Sequence, residues 1–260
     1  MALMESSEMA KPGVALQLYT VREDCARDYV GTLTAVAEMG YPAVQAAMGY
    51  GGLSASALNA LLGDLGLSMA GSHVVLERLE ANLQDEIDFN LGIGNRDIIC
   101  PWLKPESRTE ATYRGLPDIL NRIGQKCHEH GLRFSYHNHD FEFERLDSQY
   151  AMDYLLARTD PKFVALEPDV YWLRVAGVDP AAYIRQYSGR CPIIHLKDMT
   201  RGANPTYAEV GEGVIDFGPI FAAAEAGGAE WYVVEQDTCQ RPAMESVKIS
   251  VENLRGMGKL

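Results

Sequence analysis

Cysteine is scarce in this chain and scattered. Its five residues (Cys25, Cys100, Cys127, Cys191 and Cys239) are odd in number and none stands in a CxxC pair, which argues against a disulfide framework and against a thiolate zinc site. Reduced thiols in a cytoplasmic protein are expected. Basic residues are outnumbered, with 23 Lys and Arg against 36 Asp and Glu for a net charge of −13. A field of that sign repels phosphate backbones and anionic lipid at long range, so neither nucleic acid nor a membrane is expected as a partner. No apolar run approaches the roughly 18 residues of a membrane-spanning helix. The opening MALMESSEMAKPG is polar and acidic, where an export signal has a basic start and an apolar core. Residues 1–12 are expected to be a flexible segment ahead of a single folded domain, residues 13–260. The first strand-like run is not followed by the GxGxxG turn of a dinucleotide site, and no low-complexity tract or charge block divides the chain.

What the sequence does have is alternation. Short apolar or β-branched runs near 14–19, 43–46, 67–71, 97–100, 132–137, 163–166, 192–196 and 231–235 read as strands. Between them lie segments of helical period near 24–39, 54–65, 77–92, 109–130, 149–158, 180–187, 217–226 and 243–257, several with a capping Ser or Thr or a closing glycine. This is the pattern of a parallel α/β fold. An open doubly wound sheet shares it, but eight units in a chain close to the usual ~250 residues, with no glycine-rich turn after the first, predict a single (β/α)8 TIM barrel.

Polar side chains collect just past the apolar part of the later strands, on the rim where such barrels carry out chemistry. The fifth strand runs into Tyr136-His137-Asn138-His139-Asp140-Phe141-Glu142, the sixth into Glu167-Pro168-Asp169, the seventh into His195-Leu196-Lys197-Asp198, and the eighth into Glu235-Gln236-Asp237. Any one of these alone is more often a loop cap than a ligand. Together, one His and three carboxylates from neighbouring strands would crowd like charges on one rim, a cost that one divalent cation relieves. An oxygen-rich set of this kind suits Mn²⁺, Mg²⁺ or Co²⁺ and is compatible with catalytic zinc.

These segments, with LQLYTVR at 16–22, EMGYPAVQ at 38–45, GSHV at 71–74, DVYWLRVAGVDP at 169–180, VGEGVIDF at 210–217 and WYVVEQD at 231–237, resemble the xylose isomerase-like barrel superfamily, in particular its sugar phosphate isomerase/epimerase group. The resemblance implies a cation held by Glu, Asp, His and Glu, matching Asp169, His195 and Glu235. Glu142 is taken as the fourth in preference to Glu144 and Glu167. Gln45 departs from the pattern, since relatives often carry Glu there.

The chemistry implied is proton abstraction α to a carbonyl through an enediolate, with Glu142 and Glu235 as acid and base. Isomerisation or epimerisation of a small sugar or keto-sugar is the leading expectation, and a lyase or dehydratase acting on a 3-keto sugar or inosose the alternative. A non-catalytic sugar binder is a further class, and an endonuclease IV-like DNA repair enzyme is disfavoured by the acidic balance. His73, Trp102, His137, His139 and Lys197 are candidate substrate contacts. Their structural alternatives are core packing for Trp102, orientation of Glu142 for one of the two imidazoles at 137 and 139, and a solvated loop position for Lys197. Gln17 and Tyr19 share one face of the first strand, and the VGEG stretch reads as a turn positioning Glu212 and Asp216. A homo-oligomer is expected from the exposed outer helices of such barrels.

Overall fold

Eight short strands build the centre of the protein: β1 (Gly13–Gln17), β2 (Ala43–Ala46), β3 (Ser68–His73), β4 (Asp97–Cys100), β5 (Arg133–His137), β6 (Val164–Glu167), β7 (Ile193–Leu196) and β8 (Trp231–Val234). The structure, a computed structural model, describes residues 11–260. Most of the segment expected to be flexible therefore lies outside the described residues. The strands pair in parallel in the order β6-β5-β4-β3-β2-β1-β8-β7. The seam between β6 and β7 closes just beyond the end of β6, where Asp169 forms a parallel bridge with His195 of β7 and the His195 amide donates to the Pro168 carbonyl at 3.0 Å. The result is a nearly closed (β/α)8 barrel, as the alternation predicts.

The period of two divides the strand residues into an outer and an inner set. Val14, Leu16, Val44, Ile98, Phe134, Ile194 and Tyr232 pack outward into the large core beneath the helices. Ala15, Ala43, Ala70, Ile99, Ile193 and Val233 form a separate inner cluster. Two residues further along the same inner face come Gln17, Gln45, Glu167, His195 and Glu235, with His137 beside them two residues past Ser135, all buried. Small and apolar residues thus fill the lower barrel, and polar residues fill its top.

Most helices fall where the periodicity places them, among them Leu76–Gly92, Glu110–Glu129, Phe217–Ala226 and Ala243–Gly256. Two differences have local causes. The helix expected at 24–39 is broken into Arg22–Arg27 and Tyr29–Glu38, because Asp28 adopts an extended conformation and its side chain accepts the Gly31 amide as a fresh N-cap. A short helix the periodicity does not show, Val170–Val175, starts directly after β6, with the Asp169 carboxylate accepting from the Tyr171 and Trp172 amides. Among the described residues no helix is long and apolar enough to cross a membrane.

Candidate metal centre

At the top of the barrel, side chains able to ligate a metal form two adjoining groups, His137–Asp169–His195–Glu235 and His73–His137–Glu167–His195, each with ligand atoms within 4.8 Å of one another. Parallel register explains the crowding. His137 lies opposite Glu167 on β5 and β6, His195 opposite Val233 on β7 and β8, and Asp169 bridges to His195 at the seam. His73 reaches the same space because β3 is irregular at Gly71. There φ is +140° and a Cβ would press on Ile99 and on the Gln45 amide, so glycine turns the strand by one position and leaves room for Gln45.

Glu167 sits at the centre of one group. Its Oε1 accepts from Gln45 Nε2 at 2.6 Å, and its Oε2 lies 2.7 Å from His73 Nε2, 3.1 Å from His137 Nδ1 and 3.4 Å from His195 Nε2. Burial favours the neutral acid, but the His195, His73 and His137 rings outweigh it and hold Glu167 well below the usual carboxylate range. On the other side, His195 Nδ1 is 3.0 Å from Glu235 Oε2, and His137 Nε2 is 3.7 Å from Asp169 Oδ2. Burial lowers the pKa of His195, yet Glu167 and Glu235 together push it up to about 10. His137, buried beside His195, drops to about 3.

Lys197 is fully buried, with Nζ 3.0 Å from Asp169 Oδ2, 3.0 Å from Glu235 Oε2 and 2.7 Å from Asp237 Oδ1. These carboxylates raise it well above the ordinary lysine value against the cost of burial, so it carries its charge and is no solvated loop residue. Glu235, with Lys197 and His195 opposing the effect of burial, stays well below its usual range. Asp169 is raised to about 6 by burial, with Lys197 partly offsetting it. Its Oδ1 is consumed by the two amides of the helix start, while Oδ2 accepts no hydrogen bond of good geometry despite the nearby ammonium. Three buried carboxylates (Glu167, Asp169 and Glu235) and the half-buried Asp237 therefore face one ammonium and the imidazoles of His73, His137 and His195. The donor set and the charge deficit both fit a divalent cation.

Glu142 stands outside both groups. It is buried in the short 3-10 turn Phe141–Phe143, where Oε1 accepts from the Tyr136 hydroxyl at 2.7 Å and Oε2 from the His139 amide at 2.8 Å. Burial raises it to about 7 even though both donors favour the charged form. The residue ties the loop after β5 to its own strand. His139 lies beyond the end of β5 and packs against Phe141 and Trp172, with ring centroids 5.4 Å and 5.3 Å away. His139 Nδ1 and Trp172 Nε1 are buried without partners. Trp102 is half-buried under the Arg108 guanidinium, 5.5 Å from its ring, and Arg108 also lies 3.6 Å over Phe141. Tyr19 is covered by Arg22 at 4.2 Å, whereas Gln17 points inward and donates to Gln45 Oε1 at 2.5 Å.

The residue that the sequence passes over is Asp198. Fully buried, it accepts the amides of Met199, Gly211, Gly213 and Ile215 at 2.7–3.0 Å, so the VGEG stretch is wrapped around a carboxylate. Glu212 takes a hydrogen bond from Asn253 at 3.0 Å, and Asp216 caps the helix Phe217–Ala226.

Comparison with known proteins matches residues 33–257 to the family described as xylose isomerase-like TIM barrel, and the chain belongs to that family. An inosose dehydratase from Geobacillus thermodenitrificans is 33% identical over 153 residues, covering 52% of this chain and 50% of the relative. The chain spans about half the length of the curated relatives it matches. Among solved structures, a sugar phosphate isomerase/epimerase from Parabacteroides distasonis superposes with a TM-score of 0.82 at 23% identity, over 98% of both chains. The IolI protein with a bound zinc atom gives 0.73 at 12% identity, over 95% of this chain and 98% of that one. These two likenesses are of fold.

Proposed function

We propose that this chain is a divalent-metal-dependent enzyme that removes the proton α to the carbonyl of a small keto-sugar or inosose, with loss of water as the outcome. The observation that carries the proposal is the buried His137–Asp169–His195–Glu235 group with Lys197 beside it. In this ligand set His137 takes the fourth place that the sequence assigns to Glu142. The two imidazoles favour Mn²⁺, Co²⁺ or Zn²⁺ over Mg²⁺. Bound there, such an ion polarises a substrate carbonyl and makes its α-hydrogen acidic.

The chain's own groups supply the rest. Glu235, held ionised by Lys197 and His195, accepts the α-proton. The Lys197 ammonium donates a proton to the departing hydroxyl, so that water leaves as a neutral molecule and the charge stays balanced. His139 Nδ1 and Trp172 Nε1, buried with no partner in the protein, are free to bond substrate hydroxyls. Dehydration is favoured over epimerisation for a structural reason. Epimerisation by two bases needs a carboxylate on each face of the substrate, and both Glu142 and Glu167 are engaged within the protein, the first by Tyr136 and the His139 amide and the second by Gln45, His73 and His137. The likeness to inosose dehydratases points the same way. Isomerisation remains the second reading, favoured by the whole-chain likeness of fold to a sugar phosphate isomerase/epimerase.

Incubating metal-loaded protein with inosose and a panel of ketoses, with mass spectrometry of the products, tests the proposal. A product lighter by one water, formed only with metal, is expected. A product of unchanged mass would replace dehydration by isomerisation, and no product from any of them would contradict both.

A further inference from the structure

His137 and His195 belong to both metal-capable groups, and each turns one ring nitrogen toward each group. A neutral imidazole has one lone pair and one N–H, so the two rings cannot serve both groups at once. Which group takes a cation is therefore decided by where the ring protons sit.

Gln45 decides it for His195. Its amide nitrogen faces Glu167 Oε1, an ionised acceptor, so its carbonyl oxygen must be the atom that faces His195 Nε2 at 2.8 Å and Gln17 Nε2 at 2.5 Å. A carbonyl only accepts, so His195 Nε2 keeps its proton, and Nδ1, whose own proton goes to the Glu235 carboxylate, is the nitrogen a cation would take. Glu167 decides it for His137. Its Oε2 also only accepts, so His137 Nδ1 carries the proton and Nε2 presents its lone pair toward Asp169. His137 Nε2, His195 Nδ1 and Asp169 Oδ2, which accepts no well-aligned hydrogen bond, then lie on one side, with Glu235 Oε2.

We infer that Glu167, seated by Gln45, is a positioning residue. It fixes the tautomers of His137 and His195 so that a single cation is held by His137 Nε2, Asp169 Oδ2, His195 Nδ1 and Glu235 Oε2, while the His73–Glu167 side stays linked by protons. This rests on the metal-dependent reading proposed above and adds to it a metal-orienting carboxylate of the kind that tunes imidazole ligands.

Cobalt binding to the purified full chain tests the inference without any turnover. X-ray absorption of the cobalt-loaded protein is expected to count two imidazoles, and Glu167→Gln to weaken cobalt about 10- to 100-fold, while His73→Ala leaves the affinity and the imidazole count unchanged. Three imidazoles, with binding lost in His73→Ala, would overturn the inference and leave a metal-dependent enzyme standing. No cobalt binding by the folded protein would overturn both. Should Glu167→Gln fail to fold, nitrogen-15 NMR of the zinc-loaded parent is decisive: protons on His137 Nδ1 and His195 Nε2 support the assignment, and the opposite tautomers contradict it.

Discussion

The two ends of this barrel handle buried charge in opposite ways. At the lower end, Arg133 on β5 reaches Asp97 at 2.5 and 3.0 Å and Glu230 at 2.6 and 3.2 Å, so one guanidinium ties the starts of β4 and β5 to the turn before β8. None of the side-chain atoms in that cluster is buried without a partner. At the upper end, carboxylates outnumber cations, Asp169 Oδ2 accepts no well-aligned bond, and His195 Nδ1 faces a carboxylate. Charge at the bottom is matched within the protein and holds strands together, whereas charge at the top is left to be matched by a ligand. Asp198 shows the same contrast within the upper half, since four amides satisfy it.

Substitutions at the two ends should therefore fail differently. The largest effect is expected from Glu235→Gln or Asp169→Asn. Turnover should fall by about 10²–10⁴-fold and bound metal should be lost, with the melting temperature nearly kept, as steady-state rates, metal analysis and thermal unfolding would show. Arg133→Met should do the reverse. Leaving the Asp97 carboxylate buried without its partner is expected to cost about 1–3 kcal/mol of stability in denaturant unfolding, while the molecules that remain folded bind metal normally.

A third effect concerns pH. Because Glu167 and Glu235 hold the His195 pKa at about 10, a metal ion taking Nδ1 must displace a proton throughout the neutral range. Protonation competes more strongly as pH falls, so affinity should decrease about tenfold per unit of acidification between pH 8 and 6, with one proton released per ion. Calorimetry in buffers of different ionisation enthalpy would measure that proton. The smallest effect is expected at the surface. Arg114, paired with Glu110 and Asp147 in solvent, can be changed to Ala with no measurable shift in melting temperature or metal affinity.

The sequence reveals this asymmetry unevenly. Strands whose outer residues are apolar and whose inner residues are small show up as short apolar runs, so the barrel and the rim positions of Asp169, His195 and Glu235 can be read from local pattern alone. Counting inward from Ala165 by two also reaches Glu167, and the parallel register with His137 brings it to the centre of the top. That signal lies in the register, whereas Glu142 stands inside the distinctive HNHDFEF segment, which draws the choice of ligand to it. His137 and His139 share a face only while the strand continues, and β5 ends at His137. His73 points inward through a bulge at Gly71 that no periodicity marks. Asp198 cannot be read locally at all, since its four donors include three amides at positions 211–215.

Deuterium exchange at the α-carbon of inosose, followed by proton NMR in D₂O with metal-loaded protein, tests the central claim most directly. The account predicts exchange or deuterated product that stops on chelation and returns when Mn²⁺, Co²⁺ or Zn²⁺ is restored. Exchange that persists in metal-free protein or in Glu235→Gln would contradict it.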